Sequence, residues 1–237
     1  MLDWSQLDRE SIIQLLFGKR HILTKKMPFK KFFQKFSYQI KKFARVKITV
    51  NYDNKIDKDV IFVGGSYDSE LDQDNKISIS IDLYYNKKFK TVDLSEISYF
   101  NFCVTVADVL IHEIIHMRQH RKRNYKNVRA YYSQARSEKK RDIQNYLGHK
   151  DEIEAYSFNI ACELIDKFKE DEAKVKTFLN GGIRIKTNKM ACFRQYVNAF
   201  DKDWNHPVMV SLKKQIISNI PKAQIGKPFR NNYWIWY

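Results

Sequence analysis

Residues 108–116 read Asp108-Val109-Leu110-Ile111-His112-Glu113-Ile114-Ile115-His116. The two histidines stand four positions apart inside an apolar run from Phe100 to Met117. On a helix they therefore share one face, a turn apart. Two imidazoles so placed can reach a single zinc ion. Glu113 is rotated to one side, where a carboxylate can take a proton from a water that such a metal acidifies. The pattern predicts a metal-binding helix with His112 and His116 as ligands and Glu113 as a general base.

A zinc site needs a third protein ligand. His120 lies eight residues after His112, which is about 12 Å along a helix, too far to share one ion. A third histidine six residues after His116 would fall at Lys122, and the glycine that accompanies it would fall at Gln119. That arrangement is absent. The remaining candidates are downstream carboxylates in Asp151-Glu152-Ile153-Glu154-Ala155-Tyr156, which opens a second strong helical pattern. Glu152 shares a face with Tyr156, and the adjoining small Ala155 permits close helix packing. Either Glu152 or Glu154 also suits a helix N-terminus simply as a negative charge.

With those residues in view, the 108–116 stretch resembles the active-site helix of zincin metallopeptidases. Glu152-Ile153-Glu154-Ala155, followed by Phe158-Asn159-Ile160-Ala161, resembles the second helix of the gluzincins. In that group a Glu three residues before a small Ala or Ser is the third ligand, which implies Glu152, with Glu154 as the alternative. The resemblance is nearest to small intracellular peptidases of the repressor-cleaving ImmA/IrrE type and to phage-encoded peptidases. It covers roughly 100–123 and 150–167. It implies a zinc-dependent endopeptidase with one Zn2+ ion, acting on a protein substrate. Gluzincins often carry Asp directly after that Ala; here Tyr156 stands there. Asp108, one turn before His112, is placed to accept an imidazole N–H instead, and Tyr156 offers a hydroxyl for the same purpose.

Outward from the motif, helical spacing predicts helices over 3–17 and 29–43, the latter with Phe29, Phe32, Phe33, Phe36, Ile40 and Phe43 interleaved with Lys. Strand patterns follow at 46–52, at 60–63 closed by Gly64-Gly65, and at 76–84, where Ile77, Ile79, Ile81 and Leu83 alternate with polar residues. The acidic segment 68–74 reads as a solvated turn. Helices follow over about 99–123, 150–168, 187–203 and 208–219, with Pro221 and Pro228 in a final loop and a docked aromatic tail at Tyr233–Tyr237. The expected fold is an α+β, zincin-like single domain over 1–237. It has basic N-terminal helices at 1–45, a catalytic core at 46–170 and a C-terminal helical extension at 171–237. A small mixed sheet packs on the motif helix, and 76–84 is its edge strand, open to an extended peptide.

Forty-three Lys and Arg against 27 Asp and Glu leave a net charge of +16. That balance attracts acidic partners, and the basic stretches 19–47 and 118–141 make nucleic acid a candidate partner. The rival functions are therefore a nucleic-acid-associated protein, including a protease acting on DNA-bound proteins, and a virion component with a degenerate site. Three scattered cysteines, Cys103, Cys162 and Cys192, form neither a zinc-ligand pair nor a disulfide framework. Met1 to Arg20 does not read as a signal peptide. Phe100–Met117 carries Asp108, His112, Glu113 and His116, so no membrane span is expected. The expected location is the cytoplasm, the host cytoplasm or virion if the source is viral.

Overall fold

A computed structural model describes residues 7–57, 60–184, 186–187 and 190–224. The aromatic tail and Pro228 lie outside them. The chain forms two compact units, the first ending at Tyr125 and the second beginning at Lys126. That boundary falls inside the stretch 46–170 that the sequence groups as one core, so its two strong helices belong to different units.

The first unit contains α1 (Arg9–Phe17), α2 (Arg20–Leu23), β1 (Met27–Pro28), α3 (Phe29–Lys41), β2 (Val46–Tyr52), β3 (Ile61–Tyr67), α4 (Ser69–Gln73), β4 (Ile79–Tyr85), β5 (Thr91–Val92) and α5 (Glu96–Lys122). The class is α+β. Strands β2, β4 and β3 form a mixed sheet in that order, with β4 parallel to β2 and antiparallel to β3. Strand β4 is thus central, which corrects the expectation of an edge at 76–84. Alternation reports that one face is buried, here Ile79, Ile81, Leu83 and Tyr85. It carries no information on whether both edges are paired. The exposed edges are β2 and β3. Strand β3 also runs through Gly64-Gly65 rather than ending there.

Helix α5 packs on β3 and β4 from one side and on α1 from another. Phe17 of α1 meets the rings of Tyr99 and Phe100, and the Tyr99 hydroxyl donates to the Leu16 carbonyl at 3.0 Å. Phe32 and Phe36 of α3 stack edge-on against Phe102. The N-terminal helices are therefore part of the same core as the motif helix. Arg9 is fully buried and ion-paired to Asp108 at 2.6 Å. By length and composition α5 could cross a membrane, but 61% of its apolar window is buried within the protein, as in the core helix of a globular unit.

The acidic segment is not a solvated turn. Asp68 caps α4 by accepting from the Glu70 and Leu71 N–H groups. Asp72 is buried and receives Arg121 Nε and Nη2 at 2.8 and 2.6 Å, together with the hydroxyls of Tyr125, Tyr67 and Ser78. It ties the sheet connection to the last turn of α5.

The second unit contains α6 (Glu138–Leu147), α7 (Lys150–Lys167), α8 (Glu172–Leu179), α9 (Ala191–Ala199) and α10 (Pro207–Ala223). Helix α7 is its centre, burying Ala155, Phe158, Ala161, Cys162 and Ile165 as the periodicity predicts. Helix α10 packs along it, and Asn219 Nδ2 donates to Ser157 Oγ at 2.9 Å. Glu163 accepts the Cys192 and Phe193 N–H groups, capping α9 from α7. Helix α8 ends at Asn180, with Gly181 at φ +81° supplying the left-handed turn. Pro221 lies inside the last turn of α10 rather than in a loop.

Candidate metal centre

Ser95 starts α5 by accepting the Ser98 N–H at 3.1 Å. Glu96 in the first turn and His120, Arg121 and Lys122 in the last match the helix dipole. Between these ends the helix presents His112 and His116, both half-buried, one turn apart. Their Nε2 atoms converge to 3.2 Å. Two nitrogens bound tetrahedrally to zinc at about 2.0–2.1 Å stand roughly 3.3 Å from each other. The pair is thus spaced as one ion requires.

The orientation of His116 is set by a residue the sequence reading passed over. Its Nδ1 lies 3.0 Å from Gln119 Oε1. An amide oxygen can only accept, so Nδ1 carries the proton and Nε2 keeps its lone pair for a metal. The signal was available, since Gln119 is three residues after His116 and on the same face. Removing an outer partner of a ligating histidine typically costs 10- to 100-fold in metal affinity. Gln119→Leu is expected to weaken zinc binding by that factor, read by competition with a chromophoric chelator. An unchanged affinity would show that Gln119 does not orient the ring.

Glu113 is 7% exposed. It sits where β3 crosses the helix at Gly65. A Cβ on Gly65 would lie 2.6 Å from Val109 Cγ1 and 3.1 Å from both Cγ and Oε1 of Glu113. Only glycine lets the strand approach so closely. The Glu113 side chain thus lies close beside an edge strand.

Compared with models of protein families, with curated proteins and with solved structures, the chain finds no match.

The other predicted site residues distribute as follows. Asp108, offered by the sequence as an imidazole acceptor, takes two guanidinium N–H bonds from Arg9 at 2.6 and 3.3 Å. His120 lies against the Tyr67 ring, 5.4 Å between centroids. Glu152 and Tyr156 are half-buried on one face of α7 in the second unit, whereas Glu154 is exposed. The Tyr146 hydroxyl sits against both the Glu152 carboxylate and the Tyr156 hydroxyl. Its own burial, then the Glu152 charge, push its pKa well above the ordinary tyrosine value. Its ring meets Tyr156 edge-on at 6.3 Å, and Tyr156 meets the buried Tyr196 at 5.7 Å. A phenol that stays protonated can donate a hydrogen bond to a neighbouring carboxylate. The sequence did not single out Tyr146. It lies on α6, and only the packing of α6 on α7 brings it to Glu152. His149 caps α7, its Nδ1 accepting the Asp151 N–H.

Proposed function

We propose that this chain is a zinc-dependent endopeptidase with a zincin-like catalytic arrangement, in which His112, His116 and Glu152 hold one zinc ion and Glu113 is the general base. The observation that carries the reading is the 3.2 Å convergence of the two Nε2 atoms, with the buried Glu113 beside them on the same helix, close to Gly65. His112, His116 and Glu152 are each half-buried within their own elements, and two imidazoles with one carboxylate are a donor chemistry suited to hydrolytic zinc. Glu152 is preferred to Glu154 because it is half-buried and adjoins the Tyr146 hydroxyl, while Glu154 is exposed.

When bound, zinc would acidify a water and polarise the scissile carbonyl. Glu113 takes the proton as the water oxygen bonds to the carbonyl carbon. It delivers that proton to the amide nitrogen as the C–N bond breaks. Strand β3 is a sheet edge beside Glu113, so an extended substrate would pair along it by strand addition.

Metal analysis of the purified protein tests the reading. About one zinc ion per chain is expected, retained through dialysis and lost in His116→Ala. Chelation should stop cleavage of a denatured, dye-labelled casein, and added zinc should restore it. A chain that neither carries zinc nor takes it up ends the proposal.

A further inference from the structure

Helix α3 has two faces that serve different purposes. Its Phe32, Phe36 and Ile40 side chains are 0% exposed, so its apolar face is spent on the core of its own unit. On the opposite side, at 3.6 residues per turn, Lys30, Lys41, Tyr38, Lys31, Lys42 and Lys35 follow one another across an arc of about 140°. Four of the five lysines are exposed and Lys35 is half-exposed. Tyr38, in the middle of the arc, is 61% exposed, and Lys42 Nζ lies 4.3 Å from its ring centroid.

No compensating acid lies among them. From Ser11 to Tyr52 the chain has no Asp or Glu, so α3 and its neighbours α2, β1 and β2 contain none; α5 and β4, which carry acids, meet α3 through its apolar face, at Phe102 and Tyr85. Among the described residues none of the five lysines forms an ion pair. Concentrating like charge on one helix face without partners is unfavourable to the fold itself, because the charges repel. A bound polyanion would relieve it.

We infer that this face of α3 binds single-stranded nucleic acid, the lysines tracking phosphates and Tyr38 offering a platform on which a base stacks. An anionic membrane fits less well. An interfacial helix inserts its apolar face among the lipids, and here that face is already buried. An acidic protein would use the lysines but has no use for a half-exposed phenol ring flanked by cations. The inference is independent of the peptidase reading: Glu113→Gln is expected to bind as the wild type does.

Anisotropy of a dye-labelled 20-nucleotide single strand, titrated with the full chain across a salt series, tests it. The wild type should bind at low salt with a steep salt dependence. The variant with Lys30, Lys31, Lys41 and Lys42 all changed to Gln should lose at least tenfold in affinity. Its log–log salt slope should flatten by about 0.7 for each phosphate contact removed. Tyr38→Ala should lose roughly tenfold for the single strand while leaving the slope unchanged. Both variants alter only surface side chains, and their melting curves should match the wild type. Failure of the wild type to bind at low salt overturns the inference, as does wild-type affinity in the four-lysine variant. Equal binding to polyglutamate or to anionic vesicles at matched charge, with Tyr38→Ala silent, overturns it too.

Discussion

Glu113→Gln is expected to lower the turnover of peptide hydrolysis by about 10²- to 10⁴-fold while the zinc content stays that of the wild type. The substitution keeps the size of the side chain, which matters here because Glu113 is buried and fills the space a Cβ on Gly65 would need. It removes only the ability to accept and return a proton. His112 and His116 keep their 3.2 Å spacing and the Gln119 contact, so metal binding is left to the ligands. The loss should fall on kcat with KM little changed, because in the proposed role Glu113 acts on the water and not on the binding of the peptide. A variant that cleaves labelled casein at the wild-type rate would refute the assignment of the base. A variant that also loses its zinc would show that Glu113 is a ligand and not a base.

The second large effect is structural. Asp72→Ala is expected to destabilise the first unit by about 2–4 kcal/mol, measured as a shift in the urea midpoint. The ion pair with Arg121 contributes only part of this, since Arg121 is 49% exposed and can turn to water. The larger part comes from three hydroxyls, those of Tyr67, Ser78 and Tyr125, left without their shared acceptor. The pH dependence has a definite sign. Burial raises the Asp72 carboxyl, but the hydrogen bonds from Arg121 and Tyr125, with the Arg121 charge, outweigh it and hold the group below the usual carboxylate range. A depressed folded-state pKa stabilises the fold above the unfolded value of about 3.9 and ceases to do so as pH falls through the lower folded value. The gap between wild type and Asp72→Ala should therefore be full at neutral pH and shrink below about pH 4. An equal gap at pH 7 and pH 3 would rule out the ionised carboxylate as its source. Because Arg121 and Tyr125 lie just past His116, loosening this clamp should also weaken zinc binding.

The motif helix was legible because its signals are local. Four-residue spacing puts His112 and His116 on one face whatever surrounds them, and an apolar run of that length has to be buried. The Phe face of α3 and the alternation of β4 were readable for the same reason: each reports a period of burial along a single element. Gln119 and Tyr146 were not singled out. The first was weighed only as a misplaced glycine in another ligand pattern. The second reaches Glu152 only through packing of α6 on α7. Asp72 looked like one more acid in a polar segment, because nothing in 68–74 announces that Arg121, 49 residues on, folds back to it.

By itself, then, the sequence determined the longer helices and strands of this protein and the residues carried on α5: two imidazoles and a carboxylate at helical spacing, beside a basic aromatic helix and an α+β composition of elements. Tertiary structure alone decided that β4 is central and that β2 and β3 are the edges. It alone brought β3 onto Glu113 at Gly65 and buried Asp72 beneath the end of α5. The physical reason is one of range. Periodicity tells a residue which way to face, but pairing order and close backbone approach depend on contacts between segments far apart in the chain, and no local pattern encodes those.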